Sequence, residues 1–267
     1  MSSWMNYLRT HRFPHIWCAG CGNGTVITAM ARASEELKLN KDKTSVVSGI
    51  GCSSRGAGYL DFCTLHTTHG RALPFATGLK LGNPELEVLV VSGDGDATAI
   101  GGNHFIHAAR RNIDLTLIIM NNNIYGMTSG QYSPLTPPGA LATTAPYGNI
   151  DRTFDICKLA EASGATYVAR ATSYHVVQLK KYIESGIKNK GFSVIEVVTQ
   201  CPTYYGRRNK VGNAPQMMNW YKDKGIMWKS GMKEDPNKLY IGEFVNRTEP
   251  EYCESYKAVI EKAGGKV

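Results

Sequence analysis

The sequence predicts an α/β protein with a doubly wound, mostly parallel sheet, helices on both faces and an irregular C-terminal extension. Three observations support this prediction. The strand-like segments are short, continuously apolar and rich in Val and Ile, which is typical of strands buried on both faces. Segments with helical periodicity separate them, as in sheets of parallel strands. The 267 residues are 42% hydrophobic, which suits one large domain or one domain with an appendage.

The predicted elements alternate along the chain, and most are marked by their apolar periodicity. In order, we expect a helix over 25–37, a strand over 44–50, a helix over 72–81, a strand over 86–91, a helix over 103–111, a strand over 115–120, a helix over 155–163, a strand over 166–169, a helix through 176–187 with Ser173 as its N-cap, and a last strand over 192–198.

Residues 202–267 differ from the rest of the chain because they hold many lysines and aromatic residues but few strand signals. Such a segment is either a peripheral subdomain or a tail that wraps a neighbouring surface. We therefore divide the chain into a domain over residues 1–201 and an extension over 202–267, and we expect the extension to contact a partner.

The formal net charge is +8 at pH 7, but the basic residues are scattered rather than clustered. This balance fits anionic cofactors, an acidic protein partner or simply a solvated surface, and it gives nucleic-acid binding little support. No apolar run approaches the roughly 18 residues of a membrane span. The start of the chain lacks a secretory signal. We expect a cytoplasmic protein that binds neither nucleic acid nor membrane.

An acidic glycine turn and an asparagine segment each follow a predicted strand, where ligands of parallel sheets collect. Magnesium binds oxygen atoms, usually one or two from the protein together with phosphate oxygens. Asp94 offers a carboxylate, Asn122 an amide oxygen and Ile124 a backbone carbonyl. The pattern therefore predicts a magnesium ion that anchors a diphosphate, which is how thiamine diphosphate is held.

Four of the seven cysteines lie in glycine-rich or loop segments, and they are Cys18, Cys21, Cys52 and Cys201. A chain without an export signal is not expected to use them in disulfides. From the residues alone, zinc is the leading interpretation and a redox C-x-x-C the next. A 4Fe–4S cluster also needs four thiolates, so it stays open.

Several segments together resemble the beta subunits of the 2-oxoacid:ferredoxin oxidoreductases, over about residues 14–210. The segments are Trp17-Cys18-Ala19-Gly20-Cys21-Gly22, Gly49-Ile50-Gly51-Cys52-Ser53-Ser54, His66-Thr67-Thr68-His69-Gly70-Arg71, Gly93-Asp94-Gly95 with Asn122, and Ile124-Tyr125-Gly126-Met127-Thr128.

This resemblance implies a thiamine-diphosphate-binding fold over residues 1–201, with Mg²⁺, one 4Fe–4S cluster and coenzyme A as a co-substrate. The implied magnesium ligands are Asp94, Asn122 and Ile124. The implied cluster ligands are Cys18, Cys21, Cys52 and Cys201. Arg55 and His69 are the implied catalytic residues. The implied cofactor contacts are Ile50, Gly51, Cys52, Ser53, Gly93, Asp94, Gly95, Asp96, Asn122, Gly126 and Met127.

The family's chemistry implies a CoA-acylating oxidoreductase that passes electrons from thiamine diphosphate through the cluster to ferredoxin. The segment Tyr204-Tyr205-Gly206-Arg207-Arg208-Asn209 resembles members that act on 2-oxoglutarate. We therefore expect oxidative decarboxylation of 2-oxoglutarate to succinyl-CoA, or the reverse reductive carboxylation. The family places the glutamate that activates thiamine on an alpha subunit, so we expect activity only with that partner, in a dimer of alpha–beta pairs.

Two alternatives remain within thiamine chemistry. One is a beta subunit that acts on pyruvate or on branched-chain 2-oxoacids. The other is a thiamine-dependent decarboxylase without redox chemistry, which would contain no iron. A zinc-stabilised nucleic-acid-binding module is a third class, but it leaves the acidic glycine turn without a role.

Overall fold

The fold alternates strands and helices through most of its length. The computed structural model describes residues 3–233, 235 and 238–265. Its helices and strands are, in chain order, α1 Asn23–Glu36, β1 Thr44–Ser48, β2 Cys63–His66, α2 Ala72–Gly82, β3 Glu87–Gly93, α3 Gly102–Arg111, β4 Leu115–Asn121, α4 Ile156–Ala162, β5 Tyr167–Thr172, α5 Val176–Lys188, β6 Phe192–Val198, α6 Ala214–Lys224, β7 Gly225–Met227, β8 Leu239–Asn246 and α7 Tyr252–Lys262.

The strands form one eight-stranded sheet in the order β2-β1-β3-β4-β6-β5-β8-β7. Strands β1 to β6 pair in parallel, so their carboxyl ends lie along one edge of the sheet. None of the helices in the described part of the chain combines the length and apolar character needed to cross a membrane. The predicted α/β class and the mostly parallel sheet are confirmed.

Two hydrophobic cores lie on opposite faces of this sheet. In β3, Leu89 and Val91 join the core beneath α1 and α5, whereas Val88 and Val90 join the core beneath α2, α3 and α4. The alternation follows from the two-residue period of a strand, which sends successive side chains to opposite faces. Burial on both faces explains why the strands read as continuous apolar runs, and it confirms the doubly wound arrangement.

The C-terminal extension is more regular than the sequence indicated, since it contains two helices and two strands. Strand β8 pairs antiparallel with β5 and thereby enlarges the main sheet. Its tertiary pairing with β5 accounts for a strand that local sequence signals did not mark. The boundary at residue 201 and the contact of the extension with a partner stay predictions.

Two details at the ends of elements also differ from the sequence prediction. Strand β2 was missed, and its residues are only partly buried because it is the edge strand of the sheet. Ser173 does not cap α5, which begins after His175 without a side-chain cap. The hydroxyl of Ser173 instead donates to Oε1 of Gln200 at 2.5 Å, because the residue is buried against the segment that follows β6.

Candidate functional site

The carboxylate of Asp94, directly after β3, is buried. Its side chain accepts a hydrogen bond from the Ser133 hydroxyl at 2.5 Å, and no cationic side chain in the described residues pairs with it. Burial raises the pKa of Asp94 to about 7, although the hydrogen bond from Ser133 opposes the shift. A cation bound beside this carboxylate would stabilise its charged form.

The asparagine segment lies next to Asp94 because β3 and β4 are neighbours. Their register pairs Gly93 with Met120, so the two strands end at the same level. The side-chain oxygen of Asn122 accepts a hydrogen bond from the backbone N–H of Ile124 at 3.2 Å, which fixes the turn. That oxygen keeps a second lone pair for a ligand. The predicted magnesium ligands therefore converge at one edge of the sheet.

A cavity of about 170 Å³ lies at this edge, and most of the predicted site residues line it. Its lining includes Met120, Tyr125 and Thr128, which the sequence analysis did not single out. The predicted residues that line it are Ile50, Gly51, Cys52, Ser53, His69, Gly93, Asp94, Gly95, Asp96, Asn122, Ile124, Gly126 and Met127.

Besides Cys18, Cys21 and Cys201, one predicted site residue does not line this cavity, and it is Arg55. The residue is exposed on the turn Ser53–Gly58, which follows Cys52 directly. Burial of His66 lowers the pKa of that histidine, and the charge of Arg55 lowers it further. Arg55 thus lies beside the site rather than in its wall.

Asp96 also lines the cavity, but its two carboxylate oxygens hold neighbouring loops together. Oδ1 lies 2.5 Å from Nδ1 of His69 and accepts the backbone N–H of Gly70 at 2.7 Å. Oδ2 accepts the hydroxyl of Ser92 at 2.6 Å. A Cβ atom at Gly49 would collide with this carboxylate, which explains a glycine there. Asp96 therefore orients His69 and the loops around the cavity.

The four predicted cluster cysteines are gathered by hydrogen bonds between distant segments. The indole N–H of Trp17 donates to the carbonyl oxygen of Cys52 at 2.7 Å. The side-chain amide of Gln200 donates to the carbonyl oxygen of Gly20 at 3.0 Å. These contacts draw the C-x-x-C segment towards both Cys52 and the end of β6, where Cys201 follows Gln200.

The thiols are close enough to affect one another electrostatically. Burial, followed by the charges of Cys201, Cys52 and Cys18, raises the pKa of Cys21 to about 12. Burial and the charges of Cys201 and Cys18 raise the pKa of Cys52 to about 11. Buried thiols are poor acids in the protein alone, whereas a bound metal makes them thiolates.

The thiol group and the cavity share one wall. A Cβ atom built on Gly126 would lie 3.3 Å from the sulfur of Cys52 and 3.9 Å from the sulfur of Cys201. Gly126 and Cys52 both line the cavity as well. The site therefore consists of a cavity with oxygen ligands on one side and a set of thiols on the other.

Comparisons with known proteins agree with this geometry. Residues 49–197 match the C-terminal TPP-binding domain of thiamine pyrophosphate enzymes. The chain is 53% identical to the 2-oxoglutarate synthase subunit KorB of Methanocaldococcus jannaschii, covering 97% of each protein. It is 50% identical to the protein of the same name from Methanothermobacter thermautotrophicus, covering 98% of this chain and 93% of that protein.

The chain belongs to the family of 2-oxoacid:ferredoxin oxidoreductase beta subunits. The assignment is supported by a similar solved structure, that of the 2-oxoglutarate:ferredoxin oxidoreductase from Magnetococcus marinus with 2-oxoglutarate, coenzyme A and succinyl-CoA bound. The TM-score is 0.89 at 32% identity, covering 99% of this chain and 91% of that chain. The resemblance inferred from the motifs and the thiamine-diphosphate-binding fold are both confirmed.

A buried ionic network lies behind the asparagine segment of this family member. Oε1 of Glu196 accepts the side-chain amide of Asn121 at 2.7 Å, and its Oε2 accepts Nε of Arg170 at 2.7 Å. The side-chain oxygen of Asn121 in turn accepts the backbone N–H of Asn123 at 3.1 Å. The charged pair on β5 and β6 thus supports the turn that carries Asn122.

Sequence reasoning also missed Ser133 and Glu196, which bind Asp94 and Asn121 respectively. Ser133 lies 39 residues from its partner Asp94, in a segment without a motif. Glu196 is 3% exposed within an otherwise apolar strand. A charge in such a strand is the one signal that pointed to a buried partner, because isolated buried charges are costly.

Proposed function

We propose that this chain is the thiamine-diphosphate-binding beta subunit of a CoA-acylating 2-oxoglutarate:ferredoxin oxidoreductase. One observation carries the proposal: Asp94 and Asn122, at the ends of neighbouring strands, line the same cavity as the turn that bears Cys52. The names of the relatives above and the ligands of the Magnetococcus marinus enzyme support 2-oxoglutarate and coenzyme A as substrates.

The donor atoms at the cavity fit a magnesium ion. Asp94 supplies a carboxylate oxygen, Asn122 an amide oxygen and Ile124 a backbone carbonyl, and Mg²⁺ prefers such oxygen ligands. The raised pKa of Asp94 is the behaviour expected of a buried ligand that lacks its cation. These three residues would hold the ion, and the ion would hold the diphosphate of the coenzyme.

The position of the thiols beside the cavity suits a redox cluster. Cys52 lines the cavity, and Gly126, which also lines it, lies beside the sulfurs of Cys52 and Cys201. A 4Fe–4S cluster held by Cys18, Cys21, Cys52 and Cys201 would take up electrons released in the cavity. A single zinc ion would not, because zinc has no redox chemistry.

Buried polar atoms beside the cysteines also fit a group with acceptor atoms. The side-chain amide of Asn23 is fully buried, and neither its nitrogen nor its oxygen has a hydrogen-bond partner. The buried hydroxyl of Ser54 has none either. Asn23 follows the C-x-x-C closely, and Ser54 follows Cys52 closely. Buried groups of this kind usually have partners, so their state supports a bound prosthetic group here.

The chain's own residues hold and surround the reacting groups. Thiamine diphosphate, when bound, supplies a nucleophilic carbon and an electron sink for decarboxylation. Asp94 and Asn122 would hold the metal that anchors its diphosphate. Asp96 holds Nδ1 of His69, so Nε2 is the ring nitrogen of His69 that is available to hold or move a proton. Arg55, beside the cavity, offers a guanidinium for the carboxylate of the 2-oxoacid.

The partners follow from the same proposal. An alpha subunit supplies the glutamate that activates the coenzyme, because no glutamate lines the cavity in the described residues. Ferredoxin accepts the electrons. We propose a dimer of alpha–beta pairs as the working assembly.

The function is tested by purifying the chain anaerobically with its alpha subunit and measuring methyl viologen reduction with a panel of 2-oxoacids and coenzyme A. We expect 2-oxoglutarate to give the highest kcat/KM. Faster turnover of pyruvate or of a branched-chain 2-oxoacid would contradict the substrate assignment. Decarboxylation without iron and without viologen reduction would instead identify a non-redox decarboxylase.

The cluster ligands are tested with two cysteines of equal exposure. Cys201 and Cys253 are both 8% exposed, but only Cys201 belongs to the proposed ligand set. Cys201→Ser should lose most of the iron and the visible absorption of the complex, whereas Cys253→Ser should keep both. Iron at the unmutated stoichiometry in Cys201→Ser would refute the assignment.

A further inference from the structure

We infer that a groove beside Cys21 is the docking surface for a small acidic iron–sulfur electron carrier. The inference rests on the proposed function, and it assigns the partner surface on this chain. The groove lies between the N-terminal segment, α1 and α5, and we call it the carrier groove. Residues used in the argument are Phe13, Trp17, Cys21, Arg32, Val176 and Val177, which all line it.

The carrier groove reaches the proposed cluster directly. Its volume is about 740 Å³, and Cys21 is part of its lining. The adjacent Cys18 is exposed, whereas Cys21 and Cys52 are half-buried and Cys201 is buried. The proposed cluster therefore comes closest to solvent at Cys18, beside the groove. Because electron transfer slows steeply with distance, a carrier that docks here has the shortest path.

The walls of the carrier groove are apolar and exposed. Val177 is 62% exposed, Val176 is 41% and Phe13 is 43%. Ile16, which lies between Phe13 and Cys18 in the sequence, is 64% exposed. Exposed apolar side chains grouped around one groove are typical of a protein interaction surface. Scattered surface residues would not share a cavity with a cluster ligand.

Among the described residues, one of the two cations that line the carrier groove has no carboxylate partner, which suits an acidic partner. The lining residues include Arg32 and Lys180 but no carboxylate. Lys180 is neutralised by Glu36 at 3.1 Å and by Glu184 at 2.6 Å. Arg32 instead lies over the Trp4 ring at 5.1 Å, and no carboxylate in the described residues pairs with it. An unpaired cation beside an apolar wall fits the rim of an interface with an acidic protein.

The electron balance of the docked step is simple. Oxidative decarboxylation of one 2-oxoglutarate releases two electrons, and a one-electron carrier removes them in two successive encounters. In each encounter the enzyme is oxidised by one electron and one carrier is reduced. No covalent bond forms or breaks, and the surface only has to bring the two redox groups close together. A transient, salt-sensitive complex is what such a step requires.

The test compares carrier-groove variants with matched variants at the other edge of the sheet. Val177→Asp and Arg32→Glu change the groove, and Val259→Asp and Lys257→Glu are the controls on α7. Val259 is 60% exposed, which matches Val177. Helix α7 begins near the amino ends of the strands. It follows Glu251, whose carboxylate accepts the backbone N–H of Asp114, and Asp114 lies just before β4.

Each variant is assayed in the assembled complex with 2-oxoglutarate and coenzyme A, once with an acidic ferredoxin and once with methyl viologen. We expect each groove variant to raise KM for the ferredoxin about tenfold, to weaken its binding equally by calorimetry, and to leave viologen turnover and iron content unchanged. Arg32→Glu should also reduce the salt dependence of ferredoxin binding. The two control variants should behave like the unmutated complex.

Three results would overturn the docking surface. The first is unchanged ferredoxin binding in both groove variants. The second is an equal effect in the α7 controls. The third is loss of the alpha subunit on purification, which would assign the groove to that partner. If a variant loses iron, Val177→Ser and Arg32→Gln replace it. Failure of the proposed function is distinct, because the unmutated complex would then reduce no viologen with 2-oxoglutarate.

Discussion

The two edges of the sheet differ in how they balance the charge of an aspartate that is buried or half-buried. At the amino edge, Asp114 lies just before β4 and binds Nζ of Lys80 at 2.6 Å, with Lys190 at 3.6 Å. At the carboxyl edge, Asp94 has a hydroxyl partner but no cation in the described residues. Both carboxylates are shielded from water, yet only one has its charge balanced by the protein.

This difference distinguishes a carboxylate that stabilises the fold from one that is available to a ligand. A buried charge that the protein balances itself, as Lys80 balances Asp114, joins elements together and needs no ligand. A buried charge that the protein leaves unbalanced is costly, and its persistence indicates a site that a ligand completes. The predictions below test whether the amino edge serves stability and the carboxyl edge serves the cofactor.

The largest expected effect is at the amino edge. Asp114→Ala removes the partner of Lys80, whose side chain is only 3% exposed. Breaking such a pair should lower the free energy of unfolding by about 3–5 kcal/mol, because it leaves an uncompensated buried charge. Chemical denaturation of the purified chain measures the change. Replacing both partners by apolar residues, as in Lys80→Met with Asp114→Leu, should recover most of the loss.

At the carboxyl edge, Asp94→Asn should weaken retention of thiamine diphosphate and magnesium more than about 100-fold. Loss of a residue that only supports a metal ligand typically costs 10–100-fold, so loss of the charged ligand itself should cost more. Coenzyme content after desalting of the assembled complex measures it. Asp114→Asn is the matched control and should retain the coenzyme. Equal retention of the coenzyme in both variants would contradict the proposed difference between the two edges.

The two edges should also differ in their dependence on pH. Burial raises the pKa of Asp94 from 3.8 to about 7, so the folded, cofactor-free chain binds this proton more tightly than the unfolded chain does. The contribution of Asp94 to stability therefore falls as the pH rises from 3.8 to about 7.

Magnesium competes with that proton, so the affinity for magnesium and coenzyme should rise about tenfold per pH unit below pH 7 and level off above it. Titrations of the complex at pH 5.5 to 8 measure this slope. Asp94→Asn should remove it, and a slope that survives in this variant would assign the proton to another group.

The smallest expected effect is at Glu196, which supports the carboxyl edge from behind. Glu196→Gln weakens the hydrogen bond to Asn121 and leaves Arg170 partly unpaired, so the turn that carries Asn122 is held less firmly. We expect about a tenfold loss of magnesium affinity, as is usual for groups that orient metal ligands. Glu243→Gln is the control, because Glu243 accepts the hydroxyl of Tyr167 instead. Equal losses in both variants would contradict a specific role.

The motifs indicated that Asp94 and Asn122 lie together at the carboxyl edge because the signals for this placement are local. Asp94 and Asn122 follow apolar strands, and parallel strands bring their carboxyl ends to one edge whatever the order of the strands. The same reasoning did not find Ser133, which meets Asp94 from a loop without a strand. It also assigned the hydroxyl of Ser173 to capping α5, although that hydroxyl binds Gln200.

The sequence by itself determined the α/β class and the strands that end beside Asp94 and Asn122, because apolar periodicity and short motifs are properties of neighbouring residues. Only the tertiary structure decided that Asp94 and Asp96, the two acids of the glycine turn, have different partners. Asp94 has no cationic partner in the part of the chain that the structure describes, and Asp96 joins the loops of His69 and Ser92. It also decided that β8 extends the sheet. These outcomes depend on contacts between residues far apart in the chain, and the pattern of one segment does not encode its distant partner.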